Sequence, residues 1–410
     1  MRVMQRLIAA TLMLTMMTAA FAGCTGGDDD DDGYTQAEYD AAIATATEEG
    51  RLAGVAEATP VSTLDTVLDR GSLKCGVKES QWGMGFLSTD GVRSGLDIEY
   101  CKAVAAAIGL NPMTDIEWIP ASSQDRFEKL SSGEIDVLIR TTTWTTSRDA
   151  DLNADFAGIN FYDGQGILIR GDLVANPGAA AYTPASLDGA TICVGTGTTT
   201  EGNLADWKAN NGLDNVVISG VADAAEGTAN MVAGQCDAFT MDMSATVAKK
   251  YVLESDGTCG AVADSTDTDC DGLWIAPELL SKEPLAAAVR DNDDDWKDVV
   301  EWVWFGMITA EEMGITSSNY MSQESSPAVD RLLDSNLGLG TDANPLPATW
   351  MRNVLGAVGN YGEAYDNSFC DGNYDGVSGS SAMANCVLAR ENTDNALVSE
   401  GGLQFAPPMR

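Results

Sequence analysis

One short stretch, Asp136 to Asp149 (DVLIRTTTWTTSRD), sets a row of hydroxyls and an arginine directly behind an apolar run. Thr141, Thr142, Thr143, Thr145, Thr146 and Ser147 are small donors and acceptors, and Arg148 carries the planar fork that grips a carboxylate through two parallel hydrogen bonds. A small ligand bearing a carboxylate suits such a cradle. The same residues also suit a plain threonine-rich loop in which Arg148 pairs with Asp149 or Asp151. A second candidate is Gly195-Thr196-Gly197-Thr198-Thr199-Thr200-Glu201, which follows the apolar run ATICV and precedes a helix expected from Asn203. A glycine-rich turn feeding a helix offers free N–H groups and the positive end of a dipole to an anion. It lacks the lysine of a P-loop and the full GxGxxG spacing, so nucleotide binding is not expected. A third candidate is Asp242, at the end of the strand-like FTMDMS, where the plain alternative is a solvated carboxylate.

The elements that position these residues alternate. A helix Leu64 to Arg70, capped by Ser62 or Thr63, stops at Gly71; Leu73 to Val77 reads as a strand and leads to a loop with Trp82 and Phe86. Gly95 to Tyr100 reads as extended and opens a helix Tyr100 to Ile108. Ile116 to Ile119 is the next strand, Asp125 to Leu130 a helix, and Asp136 to Ile139 a buried strand. Such alternation implies an α/β lobe with a mostly parallel sheet. Later, the acidic run Asp291 to Asp295 favours the start of a helix Trp296 to Met313, with Val299, Val300, Trp302, Val303, Phe305, Gly306 and Met307 on its core face.

A chain of 410 residues exceeds the size of a single core, so two lobes are expected. Its 62 acidic and 23 basic residues, net charge -39, argue against nucleic acid or an anionic membrane surface as partner, since both would be repelled. The run Asp28 to Asp32 holds little of that charge, so most is spread over the fold, as suits a halophilic or marine setting where salt screens self-repulsion. Histidine is absent, which disfavours triad hydrolases and zinc enzymes.

Arg2 and Arg6 precede an apolar run Leu7 to Phe21, too short for a comfortable membrane span and shaped like a secretory leader. The run ends Phe21-Ala22-Gly23-Cys24, which resembles a lipobox, where cleavage leaves Cys24 lipidated; ordinary secretion with cleavage near Ala22 is the alternative. Setting Cys24 aside leaves eight cysteines in an oxidising compartment. Spacing does not determine their pairing, and the expectation is sequential: Cys75 with Cys101, Cys193 with Cys236, Cys259 with Cys270, and Cys370 with Cys386.

TLDTVLDRGSLKCGV, GLDIEYCKAVAAAIG, SSGEIDVLIRTTTWTTSRD and FYDGQGILI together resemble the solute-binding components of ABC transporters for amino acids, in particular the general L-amino-acid-binding subgroup. The likeness runs from about Leu64 to Arg410 and includes Cys75 and Cys101 and a comparable GGLQ ending. It implies a type II periplasmic-binding-protein-like fold: two doubly wound α/β lobes joined by two crossing strands, here Phe161 to Ile169 and Leu285 to Arg290. It also implies that Arg148 holds the ligand α-carboxylate, that Thr141, Thr143, Thr198 and Thr199 receive the same amino acid, that Asp242 holds its ammonium, and that Trp82 and Trp144 line the pocket. Both tryptophans serve equally well as core. The implied partners are L-amino acids, an ABC permease and its ATPase subunit, with membrane contact only through the lipid anchor.

The corresponding organisation is a leader 1–23, an anchored acidic tether 24–62, the first part of lobe 1 at 63–165, lobe 2 at 166–285, and a return to lobe 1 with a C-terminal extension at 286–410. Asp267, Asp269, Asp271, Gly272 and Glu278 match the EF-hand loop pattern, and Asp371, Asn373, Asp375 and Gly376 repeat its first half with Ala382 in place of the glutamate. A structural calcium ion is one reading of these runs and a solvated insertion the other; no other cofactor is expected. An enzyme on the same scaffold, dehydratase-like, and an amino-acid sensor are the rival functions. No acid beyond those assigned to ligand charges is marked for chemistry.

Overall fold

The computed structural model describes residues 62–259, 272–374 and 385–410. The expected leader, Cys24, the tether up to residue 61, Asp267, Asp269, Cys270, Asp271, Asp375, Gly376 and Ala382 lie outside the described residues.

Helix α1 (Thr63–Arg70) ends at Gly71, whose φ of 74° lets its N–H reach back to the last carbonyls. Strand β1 (Leu73–Val77) follows, then a small three-stranded flap of β2 (Ser80–Gln81), β3 (Gly85–Leu87) and β4 (Arg93–Ser94). Helix α2 (Leu96–Ala107) begins at Leu96 and not at Tyr100. The reason is Gly95: its φ is 114°, and a Cβ there would lie 2.1 Å from the Met84 carbonyl oxygen, so the flap turns straight into the helix. The lobe continues with β5 (Ile116–Pro120), α3 (Arg126–Ser132), β6 (Val137–Leu138), α4 (Thr146–Asp151) and the long strand β7 (Ala154–Ile169). The second lobe holds β8 (Thr191–Gly195), α5 (Thr199–Asn210), β9 (Val217–Val221), α6 (Ala224–Val232), β10 (Ala238–Asp242), α7 (Met243–Ser255) and β11 (Trp274–Ile275). Helix α5 starts at Thr199 rather than Asn203, because the Thr198 hydroxyl caps it by accepting from the Glu201 N–H. Strand β12 (Lys282–Arg290) returns, followed by α8 (Asp294–Glu312), α9 (Pro327–Asp334), α10 (Trp350–Val358) and α11 (Tyr361–Phe369).

The strand order is β5-β1-β6-β12-β7-β10-β8-β9. Strand β1 runs parallel to β5 and β6, and β8 parallel to β9 and β10, which makes each lobe a doubly wound α/β unit. The lobes meet through β7 and β12. Strand β7 pairs antiparallel with β12 from Ala154↔Arg290 to Gly164↔Lys282, then with β10 from Gln165↔Asp242 to Ile169↔Ala238. One continuous strand therefore leaves one sheet and enters the other.

Burial follows the two-residue period. Ile167, Ile169, Ile192 and Val194 face one side of the second lobe with Trp207, while Leu168, Cys193 and Phe239 face the other with Met231. The first lobe gathers Leu73, Cys75, Val77 and Val104 with Trp296, Trp304, Trp350 and Tyr361 in one core. On α8, Trp304 is fully buried, while Trp302 and Phe305 are only partly buried and pack edge-on against each other. Cys75 bridges Cys101, tying β1 to α2; Cys193 bridges Cys236, tying β8 to the turn before β10; Cys370 bridges Cys386 across the C-terminal insertion. Cys259 is also disulfide-bonded.

The C-terminal extension braces the crossing strand. Asn395 exchanges two 2.8 Å hydrogen bonds with the Tyr162 backbone, and Gln404 donates to the Asn160 carbonyl at 3.2 Å while accepting from the Trp304 indole. A buried Glu311–Arg390 pair, with the Tyr374 hydroxyl on the same carboxylate, fixes that extension to α8. Replacing Cys193 and Cys236 together by serine is expected to lower unfolding free energy by about 2–5 kcal/mol. Denaturant unfolding monitored by tryptophan fluorescence checks this; an unchanged midpoint contradicts it.

Candidate functional site

A cleft enclosing ≈ 750 Å³ of space, part of it open solvent, lies between the lobes. Lys78, Ser122, Ser123, Arg126, Arg140, Thr141, Thr143 and Arg148 line it from the first lobe, and Gly195, Thr198, Thr199, Thr200 and Asp242 from the second. The structure thus brings Arg148, both threonine pairs and Asp242 to one cavity.

Arg148 sits on α4, whose N-cap is Thr145, and is 8% exposed. It forms no ion pair with Asp149 or Asp151; its Nη1 donates to the Thr143 carbonyl at 2.8 Å. The rest of its guanidinium faces the cleft. Thr143 and Thr199 differ from the expectation in how their hydroxyls are used. Both donate to Glu283 Oε2, at 2.6 and 2.8 Å, so those protons are committed to the protein. Glu283, on β12 and 1% exposed, also accepts from Asn203 and Ser281 at Oε1. Thr198 uses its hydroxyl on the Gly195 carbonyl and on the cap of α5, which leaves first-turn N–H groups of that helix, not the hydroxyl, to receive an anion. Thr141 lies in the bend three residues past β6 with φ 43°, a left-handed conformation that is costly for a β-branched residue. Asp97, buried at the start of α2, holds it there by accepting from the Thr141 N–H at 2.9 Å.

The tryptophans are not equivalent. Trp82 borders a smaller cavity that continues from the cleft past Lys78 and Met241, and it packs on Tyr251 of the other lobe at 5.0 Å between ring centroids. Trp144 does not line the cleft: its ring stacks on Phe156 at 5.5 Å and is 36% exposed, because the loop 142–144 pairs with β12 and turns that side chain outward. Glu278, the last residue of the EF-hand-like pattern, accepts from Tyr182 at 2.5 Å and from the Trp207 indole at 3.1 Å. Across the cleft rim, Gln124 donates to Thr196 at 2.8 Å and Gln81 to Ser244 at 3.0 Å, so the lobes touch on both sides of the cavity.

Sequence reasoning missed Lys78, Arg126, Arg140, Asp97 and Glu283. Arg140 stood in the very segment that carried Arg148, and Asp97 lies between Leu96 and Ile98, a signal for a buried carboxylate with a fixed partner, whereas Glu283 sits in the polar stretch Ser281-Lys282-Glu283-Pro284 and gave none. Lys78 and Arg126 offered no such signal.

Burial dominates the titration of these groups. Asp97 is pushed up to about 6, against the opposing pull of the Thr141 N–H and of Lys78. Asp242 is also pushed up by burial and by Glu283, partly offset by Lys78, Arg140 and Arg126; Asp163 on the crossing strand is raised by burial and by Asp242. Burial and the charge of Arg140 lower Lys78 to about 7.

The model of the bacterial extracellular solute-binding proteins, family 3, matches residues 73–323. The chain belongs to that family. It is 39% identical over 87% of its length to the glutamate/glutamine/aspartate/asparagine-binding protein BztA of Rhodobacter capsulatus, covering 96% of that protein. It is 38% identical over 88% of its length to the general L-amino acid-binding periplasmic protein AapJ of Rhizobium johnstonii, covering 96% of it. Among solved structures, an ABC transporter periplasmic binding protein from Brucella ovis with glutathione bound matches with TM-score 0.71 and 36% identity, over 86% of this chain and 100% of that one. This member of family 3 thus shares both lobes and the extension with proteins of its own length.

The pH dependence has a defined sign. Carboxyls whose folded pKa is raised keep protons that the unfolded chain releases, so their contribution to stability is present below the unfolded value and is lost as pH rises through about 6. A cation bound beside Asp242 favours the ionised carboxylate, so its stabilisation grows over the same range. Below the range in which Lys78 takes up its proton, the melting temperature without ligand is expected to rise on going from about pH 7 to about pH 5, while the increment added by a saturating amino acid shrinks. Calorimetric scans across that range check it; an increment independent of pH, or unchanged in Asp242→Asn, contradicts it.

Proposed function

We propose that this chain captures L-amino acids between its lobes and delivers them to an ABC transporter permease driven by an ATPase subunit. The observation that carries the reading is that Arg148 and Asp242, on opposite lobes, face one cleft at the crossing strands. A carboxylate on Arg148 and the α5 N–H groups, with an ammonium on Asp242, joins the two lobes through one ligand and so favours the closed arrangement. It is a binding protein and not an enzyme; the relatives named above are binding proteins. No cofactor takes part in this reading, and calcium at the acidic loop is an open structural role for Asp267, Asp269, Asp271 and Glu278 rather than part of the ligand site.

Members of this family are extracellular or periplasmic, and no described helix is long and apolar enough to cross a membrane. The finer location we propose is the outer face of the cytoplasmic membrane, through lipidated Cys24. Cys24→Ser is expected to move the expressed protein from the membrane fraction to the soluble fraction. Retention in the membrane fraction contradicts the anchor.

The ligand assignment is tested by thermal unfolding in high salt against a panel of L-amino acids. A ligand at 100 times its dissociation constant adds about 2.7 kcal/mol, a shift of a few degrees. Several amino acids are expected to raise the midpoint, and Arg148→Ala and Asp242→Ala to abolish the shift. If sugars or peptides shift it while no amino acid does, the reading is wrong.

A further inference from the structure

The cleft wall of the first lobe holds more positive charge than one α-carboxylate needs. Four of the 23 basic residues of this acidic chain, Lys78, Arg126, Arg140 and Arg148, line it. Arg126 is 3% and Arg140 6% exposed, and neither guanidinium lies in an ion pair among the described residues. Both leave a buried Nε without a hydrogen-bond partner. Among the described residues, Arg140 makes one hydrogen bond, a 3.4 Å contact from Nη1 to the Ser123 hydroxyl, and Arg126 lies over the Phe127 ring, 5.1 Å from its centroid. Arg148 covers the same ring at 5.7 Å. Two guanidinia thus share one aromatic ring, and all three line one cavity.

A buried guanidinium keeps its proton at neutral pH, so its charge is compensated or it destabilises the fold. Burial and the charges of Arg140 and Arg148 disfavour the cation on Arg126. The acidic groups nearby are already committed: Asp97 to the Thr141 and Asn160 side of the wall, Glu283 to four hydroxyl and amide donors, and Asp125 to Ser122. Asp242 stands across the cavity, where it faces a ligand cation. Arg126 begins α3, and Arg140 lies in the bend two residues past the end of β6.

We infer that Arg126 and Arg140, with the Ser123 hydroxyl beside them, form a second anion subsite that takes a side-chain carboxylate, so that the cleft prefers acidic L-amino acids. The inference rests on the amino-acid reading given above and names its substrate class. One carboxylate lies on Arg148, the other on the Arg126–Arg140 pair, and the ammonium on Asp242. Glutamine and asparagine, isosteric but neutral, bring no negative charge to the pair.

The test is isothermal titration of the protein and of its Arg126→Met and Arg140→Met variants with L-glutamate, L-aspartate, L-glutamine, L-leucine and glutarate near neutral pH. The unsubstituted protein is expected to bind glutamate or aspartate at least about tenfold more tightly than glutamine, a difference the variants reduce to about twofold or less. Their melting points without ligand are expected to hold or rise, since a buried unpaired charge is removed; a structural arginine would give a fall. Equal affinity for glutamate and glutamine in the unsubstituted protein overturns the subsite, as does an equal loss for both ligands in the variants. Binding of glutarate, abolished by Arg126→Met, with no binding of any amino acid, upholds the anion subsite while refuting the amino-acid reading. Failure of glutarate and every amino acid refutes both.

Discussion

Glu283 is the point at which the two lobes and their hinge are joined. Its carboxylate lies buried on the returning strand and accepts from Thr143 of the first lobe and from Thr199 and Asn203 of the second, with Ser281 closing the set. A buried carboxylate is tolerated only when its lone pairs are filled, so both lobes must be in place for this one group to be satisfied. The threonine loop gains from the same strand: Trp144 donates its N–H to the Pro284 carbonyl and Ala286 donates to Thr142. The ligand loop of one lobe is thereby laid along the strand that connects to the other. Changes in lobe angle are felt at the cleft wall without passing through any flexible segment.

Charge is divided between outside and inside. The surface carries the acidic excess, which salt screens, while the cleft concentrates arginine in a setting of low dielectric where each charge acts strongly. An anion approaching the acidic exterior is repelled at long range and held only once inside. In the proposed anion subsite, selectivity comes from the cost of the empty site, since buried guanidinia are relieved by a ligand of matching charge.

Two supports keep this arrangement in position. Asp97 holds Thr141 in a backbone conformation that a threonine resists, so the turn between Arg140 and Thr143 is set by α2 and not by the loop itself. The C-terminal extension, through Asn395 and Gln404, grips the crossing strand at Asn160 and Tyr162, one residue before Asp163. A region that reads as packing in the sequence is hydrogen-bonded to the hinge.

Local pattern was enough for several elements: β1 from its apolar run, α1 from its closing glycine, and the alternation that announces a doubly wound lobe. It placed Arg148, the glycine-rich turn and Asp242 as separate candidates, because carboxylate forks, helix caps and strand-end acids are recognisable one at a time. The start of α2 at Leu96 was not legible, since it depends on how closely Met84 approaches Gly95 from the flap. Nor was the use of the Thr143 and Thr199 hydroxyls, which Glu283 takes from a distance of more than a hundred residues in one case. The cation cluster shows the same limit. Arg126, Arg140 and Arg148 are ordinary arginines along the chain, and only the fold brings all three to one cleft, two of them over the Phe127 ring. Residue type and spacing determined what each group is able to do; the sum of their fields, which decides what they bind, exists only where the fold removes water and brings like charges together.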